Sequence, residues 1–168
     1  MADDLTFLMG KYPARLPGGL RYARNHMWAA LVGHGQETVP QRDETVPQRW
    51  RFGFTSYAVR LMQDVYFLDW QVSAGDAVEL LQQIGHIETS KAVSDLFAPR
   101  QGVVTAFNPA LLEDPSGINV DNYGAGWLFE MDCAGDTLMT VDGYYQYLDE
   151  NWEKTQRLIK GKINTEDD

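Results

Sequence analysis

The sequence predicts a mainly β domain with peripheral helices, on three observations. Short strand-like runs recur along most of the chain, and Gly- and Pro-containing turns separate them. A sustained helical period is confined to the carboxy-terminal end. Elements of this kind pack as a small sandwich or flattened barrel with helices outside it.

In chain order, residues 1–19 read as an extended leader, because Pro13, Pro17, Gly18 and Gly19 break any helical period. Strand-like runs follow at Met27–Val32, Trp50–Phe54, Asp64–Leu68, Ala77–Ile87, Gly102–Phe107 and Trp127–Met131. Thr55 is a candidate N-cap for a short helix over SYAVRLM. Near the end, Tyr144, Tyr145, Leu148, Trp152, Thr155 and Ile159 recur at helical spacing, and Gly161 is the expected stop. Lys154, Arg157 and Lys160 lie toward that end, where cations favour the helix dipole. The resulting division is a leader at 1–19, a β domain at 20–135 and a helix with a tail at 136–168. A loop at 35–49 is inserted in the β domain. It holds ETVPQR twice, at Glu37–Arg42 and Glu44–Arg49, read as a local duplication in a hairpin connection rather than a docking element.

Composition removes several classes of function. With 168 residues, 44% of them apolar, the chain can bury a core as one domain. A formal net charge of −10 argues against a nucleic-acid or anionic-membrane surface. Cys133 is the only cysteine, which rules out an intrachain disulfide and favours a reducing cytoplasm. The amino terminus has the character of neither a signal peptide nor a membrane helix. His26, His34, His86 and Cys133 show no paired metal-ligand spacing, and no P-loop or nucleophile elbow is present. Cys133 has no local signature of a nucleophile. As an enzyme, the sequence is almost silent.

Lys91 is the one feature that composition leaves unexplained. It is the only lysine between Tyr12 and Glu153, an interval that contains eight arginines. It follows Glu88-Thr89-Ser90 and precedes Ala92, with Gly85 before it and Pro99 and Gly102 beyond. This places Lys91 near the tip of a hairpin with its amine outward, the presentation that a modifying ligase needs. Read from composition alone, an ordinary solvated lysine is the better explanation.

The surrounding residues resemble the glycine cleavage system H-protein family, whose members are lipoyl carriers. The family pattern G-x-V-E-S-V-K-A-x-S-D-x-x-x-P-x-x-G-x-V-x-x-x-N stands here as Gly85-His86-Ile87-Glu88-Thr89-Ser90-Lys91-Ala92-Val93-Ser94-Asp95, with Pro99, Gly102, Val104 and Asn108 in register. Tyr22, His26-x-Trp28, Gly53-Phe54-Thr55, Tyr57-Ala58, Leu111, Pro115, Asn119, Tyr123-Gly124 and Gly126-Trp127 extend the match over Leu20 to Gly161. The resemblance implies a hammerhead-type barrel-sandwich hybrid with extra helices, and lipoic acid covalently bound to Lys91. Biotin carriers, the nearest confusion, usually flank their lysine with methionines, whereas Ser90 and Ala92 flank this one.

Departures from the pattern point to a specialised branch. The family's serine and glutamate that help hold the aminomethyl cargo become Asn25 and Met27, while its aspartate is kept as Asp95. E-S-V-K becomes Glu88-Thr89-Ser90-Lys91, and the usual L-G-D becomes Met62-Gln63-Asp64. A thioether suits sulfur-bearing cargo better than a cation. The expectation is therefore a sulfur carrier serving a heterodisulfide-reductase-like complex. The alternative is a glycine cleavage carrier working with glycine decarboxylase and aminomethyltransferase, and a third reading is an unlipoylated regulatory binding module. For both carriers, a lipoate ligase or lipoyl synthesis enzymes would modify Lys91 and lipoamide dehydrogenase would reset the arm. Glu88 and Asp95 would guide the ligase or dock the arm, and Asn25, His26 and Met27 would line its cleft.

Overall fold

The computed structural model describes residues 2–32 and 43–163. Eleven strands and four helices are present among them. Strands β1 (Leu5–Met9) and β2 (Tyr12–Leu16) pair antiparallel as a separate hairpin. A six-stranded antiparallel sheet follows, in the order β3 (Arg21–Tyr22), β4 (Met27–Leu31), β5 (Gln48–Phe54), β11 (Phe129–Cys133), β10 (Gly102–Phe107) and β7 (Ala77–Val78). A three-stranded sheet orders β6 (Val65–Trp70), β8 (Gln83–Thr89) and β9 (Val93–Phe97). Helices are α1 (Ser56–Met62), α2 (Pro109–Glu113), α3 (Gly117–Val120) and α4 (Val141–Ile163). Mainly β structure with a carboxy-terminal helix is thus present as expected.

One buried cluster lies between the two larger sheets, with Phe52, Phe129 and Met131 facing Leu68, Ile84, Ile87 and Leu96. Strand alternation sends these side chains inward and their neighbours to solvent. A second cluster joins the first hairpin, α1 and α4 through Phe7, Met9, Leu16, Tyr57, Tyr144 and Leu148. Thr55 caps α1 as expected, its hydroxyl accepting from the Ala58 amide at 3.2 Å.

Three elements differ from expectation for identifiable reasons. Residues 5–16 are not a bare leader, because Phe7, Met9, Ala14 and Leu16 alternate inward and close the second cluster. The run at 77–87 divides into β7 and β8, which belong to different sheets. Its break is a turn at Glu79–Gln82 with Leu81 at φ 63°, where Leu80 and Leu81 are exposed in spite of their apolarity. Helix α4 continues past Gly161 to Ile163. The first ETVPQR copy lies outside the described residues, and the second runs from a turn at Asp43–Val46 into β5.

Candidate functional site

The hairpin β8–β9 carries Lys91 at its tip, with only Ser90, Lys91 and Ala92 outside the strands. Gly85 sits at its base, where a Cβ would come within 2.4 Å of the Asp69 carbonyl, so the close crossing of β6 and β8 requires glycine. At the tip, the Thr89 hydroxyl accepts from the amides of Lys91 at 3.1 Å and Ala92 at 3.3 Å and donates to the Ala92 carbonyl. The Thr89 amide closes the turn on the Ala92 carbonyl at 2.9 Å. One hydroxyl therefore fixes the backbone on both sides of the lysine. Lys91 itself is exposed, and among the described residues its ammonium makes no hydrogen bond or ion pair. A free amine on a braced backbone fits covalent attachment of a carboxylic acid such as lipoate.

A second set of contacts seats the tip on the body of the domain. The Ser90 amide donates to the Asp64 carbonyl at 2.9 Å, and the Asp64 amide donates to the Ser90 hydroxyl at 3.3 Å. Gln63, immediately before, takes φ 67° and ψ −148°. That region is costly for any residue with a side chain, by roughly 1–3 kcal/mol. The Asn119 side chain holds the peptides around Asp64: its Nδ2 donates to the Gln63 carbonyl at 2.8 Å and its Oδ1 accepts from the Val65 amide at 2.9 Å. Thr89, Ser90, Gln63, Asp64 and Asn119 were not read from the sequence as structural partners of the lysine. Their visible signals were the two departures, at E-S-V-K and at L-G-D.

Glu88 and Asp95 stand on the outward face of the three-stranded sheet, where His86 pairs with Asp69 on one side and with Asp95 on the other. His86 Nδ1 is 4.0 Å from Asp69 and its Nε2 is 3.9 Å from Glu88, while Gln83 donates to Asp95 at 3.1 Å. Phe67 lies against the imidazole with centroids 5.5 Å apart. Asp95 is four residues beyond Lys91 along a strand, roughly 13 Å at ordinary strand rise, so it lies well beyond the amine's immediate surroundings.

The turn at Ala23–Met27 brings Asn25 to this sheet but withdraws its neighbours. Asn25 Nδ2 donates to the Phe97 carbonyl at 3.0 Å, at the far end of β9. Its Oδ1 is buried and has no hydrogen-bond partner among the described residues. Met27 is 1% exposed and packs in the core between the sheets, so its thioether faces no open cleft. Its inward orientation follows from β4, where it pairs with Phe54 in register. His26, at φ 70°, turns toward Tyr144 and Tyr57, and burial pushes its pKa down to about 4. Of the three residues expected to line a cleft, only Asn25 reaches β9. Cys133 is also buried, and desolvation pushes its thiol up to about 12, which leaves it without nucleophilic character at neutral pH.

Among the described residues, no cluster of three or more His, Cys, Asp or Glu side chains is placed to hold a metal ion. No helix among them is long and apolar enough to cross a membrane.

The glycine cleavage H-protein family model matches residues 20–151. A glycine cleavage system H protein of Corynebacterium aurimucosum is 37% identical over 133 residues, which cover 78% of this chain and 94% of that protein. One from Psychrobacter cryohalolentis is 36% identical over 135 residues, covering 78% and 96%. The crystal structure of a glycine cleavage system H protein from Mycobacterium marinum superposes with a TM-score of 0.62 at 31% identity, over 80% of this chain and 98% of that one. By the extent of these matches the chain belongs to the glycine cleavage H-protein family, non-catalytic subunits that carry lipoate covalently on a lysine.

Proposed function

We propose that this protein carries lipoate on Lys91 and serves glycine cleavage, shuttling an aminomethyl group from a glycine decarboxylase to an aminomethyltransferase. The observation that carries the attachment is the free Lys91 amine at a hairpin tip whose backbone is fixed by Thr89 and Ser90. Thr89 and Ser90, which depart from the family pattern, contribute the bonds that hold the tip. This supports a modified carrier over an unlipoylated binding module.

The choice of cargo follows from Met27 and from the relatives. Sulfur transport to a heterodisulfide-reductase-like complex was favoured by a methionine facing the arm, and burial of that side chain withdraws the argument. The similar proteins bear the glycine cleavage name, which supports the aminomethyl reading. Bound lipoate supplies a disulfide on a long flexible arm that takes up the cargo on sulfur. The chain's own part is presentation. Thr89 and Ser90 orient the lysine, and the carboxylates of Asp69, Glu88 and Asp95 give the adjoining face a negative field that favours a cationic amine. A lipoamide dehydrogenase returns the arm to its disulfide.

Intact mass and peptide mapping of protein from its native cells test the attachment. A lipoyl increment on Lys91 is expected, and an unmodified Lys91 in cells whose other lipoyl proteins are loaded would overturn it. Reconstitution with glycine decarboxylase and aminomethyltransferase tests the cargo. Lipoylated protein that supports no glycine-dependent reduction of its arm would reject glycine cleavage.

A further inference from the structure

We propose that Asn119 is a positioning residue for acylation of Lys91, acting through the strained Gln63–Asp64 segment and Ser90. The inference rests on Lys91 being the attachment site. Acylation joins Lys91 Nζ to the carbonyl carbon of a lipoyl adenylate. The C–N bond forms, the bond to AMP breaks with its electron pair on the departing phosphate, and the amine gives up one proton. The rate depends on how well the amine is aligned, because small displacements of a reacting group are expensive.

The tip that carries the amine is seated by the reciprocal pair of bonds between Asp64 and Ser90, next to the pairing of Val65 with Thr89. The place of Asp64 is set in turn by Gln63, whose backbone occupies a conformation that a residue with a side chain leaves unless it is held. Three bonds hold it among the described residues. The Gln63 amide donates to the Val59 carbonyl at the end of α1, the Gln63 side chain donates to the Arg60 carbonyl, and the Gln63 carbonyl accepts from Asn119. Asn119 also accepts from Val65, so a single amide side chain grips the peptides on both sides of Asp64. Its own position is firm, since the adjacent Ile118 is fully buried in the core.

The family pattern has glycine where this chain has Gln63. Glycine takes such a conformation at no steric cost, so a chain with glycine there depends less on Asn119. The arrangement therefore predicts a specific coupling. Loss of Asn119 releases Gln63, shifts Asp64 and unseats the tip, and Gln63→Gly restores the seat.

The full-length chain is incubated with a lipoate ligase, lipoate and ATP, modification is followed by mass, and Tm is measured in parallel. Modification of the wild type and not of Lys91→Arg fixes the attachment site independently of the latch. Asn119→Ala is expected to lower kcat roughly tenfold with little change in KM, as for a misaligned reacting group. Gln63→Gly alone sets the reference, and adding Asn119→Ala to it is expected to lower kcat by less than about threefold, a coupling that a general loss of stability does not produce. Wild-type kcat in Asn119→Ala, or a loss on the Gln63→Gly background as large as in the wild type, would overturn the proposal. Should Asn119→Ala fail to fold, Asn119→Asp keeps the acceptor for Val65 and removes only the donor to Gln63. It is expected to show a smaller kcat loss that Gln63→Gly also rescues, and no loss would overturn the proposal equally. A wild type that the ligase leaves unmodified sinks the attachment reading and this inference with it.

Discussion

His26 Nδ1 lies 2.9 Å from the Tyr144 hydroxyl, which is itself 3.1 Å from the hydroxyl of Thr55. A neutral imidazole accepts from the phenol there, whereas a protonated one would bury a charge among Tyr57, Tyr144 and Tyr147. Burial lowers the folded-state pKa from 6.5 to about 4, so below pH 6.5 the unfolded chain binds the extra proton and stability falls with pH. The loss grows down to about pH 4 and levels off there, at about 3 kcal/mol for this one group. Urea unfolding at pH 7 and pH 4, compared with His26→Asn, checks this. Asparagine tolerates the left-handed backbone, and the variant should lose correspondingly less stability on acidification. Equal losses in the two proteins would refute the assignment.

Phe7 makes edge contacts with Tyr57, Tyr145 and Trp152 at centroid distances of 5.9, 5.4 and 5.7 Å, and is 3% exposed. Phe7→Ala should cost about 3–5 kcal/mol in denaturant unfolding, as large-to-small changes in a packed core do. A change below about 1 kcal/mol would mean that the first hairpin contributes little to the fold.

Met27→Glu introduces a carboxylate among the apolar side chains of the core between the sheets. Thermal and urea unfolding should show a loss of about 2–4 kcal/mol at pH 7, shrinking as the pH falls and the carboxyl protonates. A stable variant with improved glycine cleavage would instead put this side chain against the cargo.

Gly85→Ala sets a methyl against the Asp69 carbonyl, a backbone atom that cannot rotate away. Strain of about 1–3 kcal/mol is expected, together with a shift of the β6–β8 pairing. Hydrogen exchange at β8 amides reads both effects, and unchanged protection would contradict the close crossing.

The strands and the lysine hairpin were legible because their signals are local. Alternation marks β11 and the start of β5, β4 is a short apolar run, and the residues from Gly85 to Asn108 keep the family's order. The first hairpin was hidden by Pro13, which marks a break in an ordinary strand but is tolerated in a two-stranded ribbon with free edges. Leu80 and Leu81 were misleading in the other direction, since an apolar turn looks like a continued strand. The seat of the lysine was illegible for a different reason. Asn119 reaches Gln63 and Val65 across 56 and 54 residues, a separation at which no periodicity or spacing operates. Met27 was visible as a substitution, but whether it faced cargo or core depended on strand register.

Order of synthesis gives the Asn119 contact a further meaning. The ribosome delivers Lys91 twenty-eight residues before Asn119. On the proposed seat, a ligase that met the growing chain in that interval would find the amine on an unseated tip. Loading of the arm would then favour the finished chain over an incomplete translation product.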